Sequence, residues 1–148
     1  MKILIINGPN LNLLGDREKD VYGNMTLEQI QRYTEKALQS YTTTLEWKQS
    51  NHEGEIIDII HSFRKSSHDA LVINPGAYSH TSVAILDALR TVAKPVVEVH
   101  LSNTNAREAY RQVKLTAQAA GSIIEGLGKD VYLVAILALL IKKGQWHD

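Results

Sequence analysis

Five short apolar runs, separated by stretches of helical periodicity, limit what this chain can fold into more than any other feature. KILIIN (2–7) is rich in isoleucine and ends at Gly-Pro, and ALVIN (70–74) ends at Pro-Gly. PVVEVHLS (95–102) opens on proline and is rich in valine, and GSIIEGLG (121–128) is framed by glycines. These runs are continuously apolar rather than alternating, which is the pattern of parallel strands covered on both faces. LEWKQS (45–50) alternates weakly and reads as a strand with one covered face.

The intervening stretches read as helices. Thr26 opens the first, with Gln29 three residues later as a capping box, and Leu27, Ile30, Ala37, Leu38 and Tyr41 follow a helical period, with Tyr33 or Thr34 between them. Residues 54–67 place Ile56, Ile59, Ile60 and Phe63 on one face, and 79–93 place Val83, Leu86 and Leu89 or Arg90 on one stripe. Residues 105–113 are a short helical candidate, and 130–143 form the last helix. Its apolar stretch VYLVAILALLI (131–141) falls short of the roughly 20 residues that span a bilayer, so it reads as a helix buried on most of its circumference, by its own core, a partner subunit or both. Loops are expected to be short. This alternation predicts an α/β three-layer fold, and right-handed crossovers favour the flavodoxin-like strand order 2-1-3-4-5.

The chain has 148 residues, enough for a single domain over 1–148, and 44% hydrophobic content supplies a core. Sixteen basic residues balance sixteen acidic ones, so charge gives no reason to expect nucleic acid or an anionic membrane as partner. The absence of cysteine excludes disulfides, thiolate metal sites and a cysteine nucleophile, and is compatible with a cytoplasmic location. The N-terminal apolar run ends at Asn7, too early for a signal sequence.

In a parallel sheet of this kind a ligand sits beyond the carboxyl ends of the strands. The segments at three of those ends are NGPNLNLLGDREKDVYG (7–23), NPGAYSHTS (74–82) and EVHLSN (98–103), all dense in Asn, His, Ser, Arg, Tyr and Gly. Taken singly, Asn7-Gly8-Pro9 and Asn74-Pro75-Gly76 are what any strand-ending turn needs. His80 alone reads as a helix cap, His100 as a hydrogen-bonded core histidine, and Tyr22 as an aromatic packed on its loop. Their convergence on one edge favours a site. His61 and His68 read as a surface-like helix end, and SNHEG (50–54) as a turn into the second helix. No dinucleotide, phosphate-loop, nucleophile-elbow or zinc motif occurs, and the histidines lack metal-ligand spacing. A set of Tyr, His, Arg and Asn without cofactor or metal suits proton transfer on a neutral or carboxylated small molecule.

Four motifs carry a resemblance: NGPNLNLLG.RE...YG, QSNHEGEIID, INPGAY.HTSVA..DAL and P.VEVHLSN...RE..R. Together, from about residue 3 to about residue 140, the chain resembles the type II 3-dehydroquinate dehydratases of the shikimate and quinate pathways. The resemblance implies a flavodoxin-like fold assembled as a homo-dodecamer, a tetramer of trimers. It implies an anti elimination that converts 3-dehydroquinate to 3-dehydroshikimate through an enolate, with no metal, cofactor or imine.

The resemblance also implies residue roles. Tyr22 matches the base, and Arg17 the cation beside it; a free phenol has a pKa of about 10, and a neighbouring positive charge favours the phenolate. Asn10 matches the residue that stabilises the enolate, and His100 the general acid, with Glu98 on the same strand face to orient it. Asn74 matches a contact to the departing hydroxyl, and His80 and Arg111 match ligands of ring hydroxyls. Leu101 and Ser102 match the carboxylate site, and Arg107 a lid-ordering residue. Asp87 matches an acid that reaches the site from a neighbouring subunit; it lies seven residues from His80, on one helical face. Three positions depart from the family's usual pattern: Lys19 for proline, Leu86 for arginine, and Lys114 near the usual serine. A non-catalytic binding protein that kept the pocket, and a flavin carrier, remain as competing readings.

Overall fold

The computed structural model describes residues 1–16 and 23–144. Among these, five strands pair into one wholly parallel sheet: β1 (Lys2–Asn7), β2 (Thr44–Gln49), β3 (Ala70–Asn74), β4 (Val96–His100) and β5 (Ser122–Glu125). Their order is β2-β1-β3-β4-β5, the flavodoxin-like arrangement expected from the sequence. The helices are α1 (Leu27–Ala37), α2 (Glu53–Lys65), α3 (Val83–Arg90) and α4 (Asp130–Lys142).

Two apolar layers explain the continuous strand runs. Ile3, Ile5, Val72, Val97 and Val99 face α1 and α4, meeting Ile30, Val131, Ala135 and Ile136. Leu4, Ile6, Leu71 and Ile73 face the opposite way, onto Ile56, Ile60 and Phe63 of α2 and Ile85 and Leu89 of α3. Each such side chain, taken fully out of water, contributes about 1.5–3 kcal/mol before the entropy of ordering is subtracted. The edge strand β2 is only half-buried, in line with its weak alternation. The α4 helix buries Tyr132, Ile136 and Leu140 but exposes Ile141.

The capping box at α1 is present: Thr26 Oγ1 accepts from Gln29 N at 3.2 Å, and Gln29 Oε1 accepts from Thr26 N at 2.9 Å. Other expectations need correction. No helix begins at residue 79; a 3-10 turn (Gly76–His80) is followed by α3, whose start is fixed by the Ser82 hydroxyl accepting from Ile85 N at 2.9 Å. His80 and Asp87 therefore do not share one helix. Val83, the first residue of α3, is 56% exposed, and Ile85 takes the buried place instead. His68 is not at the surface: it is buried between Ser66 Oγ (2.8 Å) and Glu46 Oε2 (2.9 Å), joining the end of α2 to β2. The connection from β4 to β5 is neither short nor helical as expected over 105–113. It is built from separate 3-10 turns at Thr104–Ala106, Ala109–Arg111 and Thr116–Ala119.

Among the described residues, no helix is long and apolar enough to cross a membrane.

Candidate active site

The first, third and fourth strands end side by side, with Asn7 of β1 opposite Asn74 of β3, and their following turns enclose a cleft. Gly8 makes this possible. Its N–H donates to Asn74 O at 2.7 Å, and a Cβ there would stand 2.4 Å from Pro75 O. The two turns approach too closely for any side chain. Asn10 has a left-handed backbone (φ 67°), a conformation asparagine tolerates better than most residues. Asn51 holds it there: its Oδ1 accepts from Asn10 N at 3.0 Å and from Gln49 Nε2 at 3.0 Å.

Asn10, Asn74, His80, His100, Leu101, Ser102, Arg107 and Arg111 all line this one cleft. Asn74 is fixed from behind. Its Oδ1 accepts from Gly76 N at 3.2 Å, and its Nδ2 donates to the Tyr132 hydroxyl at 3.1 Å. That hydroxyl donates in turn to Asn7 Oδ1 at 2.6 Å.

His100 is 5% exposed, and its Nε2 lies 2.7 Å from Oε1 of Glu98, which is fully buried. The imidazole of His80 stacks on that of His100, with centroids 6.4 Å apart and planes 20° from parallel. His80 Nδ1 sits 2.7 Å from Val113 O, a carbonyl that can only accept, so Nδ1 carries the proton and Nε2 is left as an acceptor. Burial holds the His80 pKa below its ordinary value, and the charges of His100, Arg111 and Lys114 push the same way against the Val113 carbonyl. His80 is thereby a neutral hydrogen-bond partner.

Arg107 reaches toward the Ser102 hydroxyl (3.4 Å), and Arg111 Nε donates to Glu108 Oε2 at 2.8 Å. Both guanidiniums sit beside Leu101 and Ser102 at the cleft, a cationic setting that suits a carboxylate or polyhydroxylated ligand. Lys114 contacts Glu125 Oε2 at 3.5 Å, and Glu125 also accepts from Thr104 Oγ1 (2.7 Å) and Asn105 Nδ2 (2.9 Å). Asp87 is not brought to this cleft. It lies exposed on α3, 3.6 Å from Arg90.

Arg17, Lys19 and Tyr22 lie outside the described residues. The flanks of their stretch are defined. Leu14 lines the cleft, and Gly23 lines an adjoining hollow that shares Leu101 and Ser102 with it. Gly15 (φ 90°) packs against Asn24 and Thr26 so closely that a Cβ would lie 3.1 Å from the Thr26 methyl.

Sequence reasoning did not find Asn51, Tyr132, Ser79 or Thr116, all of which hold site residues in place. Only Asn51 carried a signal, as part of the QSNHEG motif.

A flavodoxin-like sheet with a cleft of amides, paired histidines and arginines at its carboxyl edge defines an α/β protein equipped for acid–base work on a small polar molecule. The family model for class II dehydroquinases matches residues 1–140. A 3-dehydroquinate dehydratase of Rhodopseudomonas palustris is 49% identical over 142 residues, which is 96% of this chain and 94% of that protein. One from Clostridium botulinum is 52% identical over 139 residues, 93% of each chain. The crystal structure of a type II dehydroquinase from Butyrivibrio crossotus superposes with a TM-score of 0.91 at 46% identity, covering 94% of this chain and 97% of that one. The chain belongs to the class II dehydroquinase family.

Proposed function

We propose that this protein is a hydro-lyase that converts 3-dehydroquinate to 3-dehydroshikimate by anti elimination of water. The observation that carries the reading is the buried Glu98–His100 pair, whose His100 lines a cleft together with Asn10, Asn74 and two arginines, in a chain of this family. Tyr22, as phenolate beside Arg17, removes a proton from the carbon next to the ketone. Asn10 stabilises the enolate oxygen; a donor aimed at such a developing charge is worth about 3 kcal/mol. The enolate collapses, the carbon–oxygen bond of the neighbouring hydroxyl breaks, and His100 protonates the departing oxygen to give water. With Nε2 engaged by Glu98, the His100 imidazolium delivers that proton from Nδ1 and is left neutral, its remaining proton on Nε2. Asn74 and neutral His80 contact hydroxyls, with Arg111 beside them, and Leu101 and Ser102 take the carboxylate. Arg107 orders the stretch that bears Tyr22. No cofactor or metal takes part in this scheme.

The working assembly is a homo-dodecamer built from trimers, in which Asp87 reaches a neighbour's cleft. Supporting this, Asp87 faces outward and the exposed apolar side chains Val83 and Ile141 await cover. The reaction serves the shikimate pathway of aromatic amino acid biosynthesis or quinate catabolism, in the cytoplasm. Purified protein mixed with 3-dehydroquinate should generate the ultraviolet absorption of the conjugated enone; assembled protein that leaves the substrate unchanged rejects the reading.

A further inference from the structure

Behind the Glu98–His100 pair lies a closed polar shell. Ser79 Oγ donates to Glu98 Oε1 at 2.8 Å, and Thr116 Oγ1 donates to Glu98 Oε2 at 2.7 Å. Ser79, Thr116 and Glu98 are each 0% exposed. A fully buried carboxylate is tolerated only when its oxygens are occupied by donors. Here the donors number three: two hydroxyls and His100 Nε2. Thr116 Oγ1 also lies 3.2 Å from Ser79 Oγ, but a hydroxyl has one proton, and the carboxylate oxygen is the closer acceptor.

We propose that Ser79 and Thr116 are positioning residues for His100: they fix the Glu98 carboxylate as an acceptor aimed at Nε2, so that Nδ1 exchanges the catalytic proton. The assignment rests on the proposed reaction for its consequence and on the bonding pattern for its geometry. Oε1 is shared between Ser79 and His100, so the Ser79 bond sets the carboxylate's rotation about its last torsion. The Thr116 bond to Oε2 locks the same torsion from the other side. With both in place, an acceptor-only Glu98 draws the proton of the neutral imidazole onto Nε2. Among the described residues His100 Nδ1 has no protein partner and is the nitrogen available at the cleft.

The two hydroxyls also come from separate parts of the site wall. Ser79 belongs to the turn that ends at His80, and Thr116 to the long connection before β5. Leu115 N donates to Ser79 O at 2.7 Å, joining the two. A disturbance of either segment is thereby transmitted to the ring that delivers the proton.

The test uses full-length protein labelled with 15N-histidine, read by magic-angle-spinning NMR, with His100 assigned from the spectrum of His100→Gln. The wild-type neutral ring should carry its proton on Nε2. Thr116→Val, which keeps the shape and removes the donor, should mix the two tautomers. With 3-dehydroquinate it should lower kcat about tenfold or more while leaving KM near the wild-type value. Ser79→Ala should act in the same direction, and Thr116→Ser should restore both readouts. Wild-type nitrogen shifts in Thr116→Val and Ser79→Ala overturn the proposal, whether or not kcat falls, because a loss of rate alone would be structural. Absence of wild-type turnover rejects the proposed reaction instead, and the nitrogen spectra then decide the positioning role by themselves.

Discussion

Tyr132 lies across the sheet from Asn7 with its hydroxyl 2.6 Å from Asn7 Oδ1, although 125 residues separate them in the chain. The Tyr132 hydroxyl also accepts from Asn74 Nδ2, so one phenol ties together the ends of β1 and β3. Complete burial pushes its pKa well above the ordinary tyrosine range, so it remains a neutral donor. Tyr132→Phe should leave two buried amides short of a partner, at a cost of about 1–3 kcal/mol in denaturant unfolding. The freed Asn74 amide should also weaken turnover, since its orientation is set from behind. Wild-type stability and rate in Tyr132→Phe would show that the phenol is only a space-filling ring.

Gly8 is required by proximity rather than by backbone angle. A methyl group would lie 2.4 Å from Pro75 O and 2.6 Å from Pro75 C, and neither backbone atom can move without opening the cleft wall. Gly8→Ala should therefore cost about 1–3 kcal/mol as an overpacking change and reduce turnover more than its stability loss explains. Parallel thermal melts and rate measurements check it, with Gly54→Ala as a control, because nothing lies within 4 Å of a Cβ there.

His80 gives a prediction in pH. Its folded pKa lies below 6.5 because burial and the neighbouring His100, Arg111 and Lys114 oppose the charged ring. The unfolded chain then binds more protons than the folded one just below 6.5. This contribution to stability is complete above that value and is lost as pH falls through the window down to the folded pKa. The ring's carbon-proton resonances should titrate with a midpoint below 6.5, and His80→Asn should soften the acid loss of stability. A midpoint above 6.5 contradicts the assignment.

Asp87 tests subunit sharing. It is exposed on α3 and, among the described residues, paired with Arg90 on its own helix, so a role at a cleft calls for another copy of the chain. Asp87→Ala and Tyr22→Phe proteins should each be impaired alone. Co-refolded as mixed oligomers they should regain activity, because some sites then combine an intact Tyr22 with a neighbour's intact Asp87. Recovery no greater than the sum of the parts removes Asp87 from the site.

The sheet was legible because β1, β3 and β4 are apolar runs closed by Gly-Pro, Pro-Gly or Ser-Asn, and local chemistry decides them. The α1 start was legible for the same reason, since Thr26 and Gln29 are three residues apart. The start of α3 was not: Ser82, unlike Thr26, has no Glu or Gln three residues on, and HTS reads equally as a helix interior. His68 was misread because its partner Glu46 lies 22 residues away on another strand. The cleft residues Asn10, Asn74, His80, His100, Arg107 and Arg111 could be placed from topology and resemblance. Ser79 and Thr116 could not, because a lone hydroxyl announces nothing until the fold sets a carboxylate beside it.

Lys114, a residue the resemblance does not account for, has a defined task in the structure. Its ammonium lies 3.5 Å from Glu125 Oε2, and both side chains are mostly buried, 11% and 18% exposed. Glu125 is the last residue of β5 and also receives Thr104 and Asn105 from the turn after β4. The carboxylate thus gathers three points of the β4–β5 connection, a segment with few apolar anchors of its own. Lys114→Met keeps the aliphatic stem and removes the charge, so it should cost about 1.5–3 kcal/mol, the range for a hydrogen bond to a charged group. Its effect should be local. Hydrogen exchange should rise over residues 103–119 while the α1 and α2 amides stay protected, since those helices are anchored in the two apolar layers of the sheet. Lys114→Met combined with Glu125→Gln should recover part of the loss, because no uncompensated charge then remains buried. A double variant less stable than Lys114→Met would mean that the Thr104 and Asn105 bonds, not the ion pair, hold the connection.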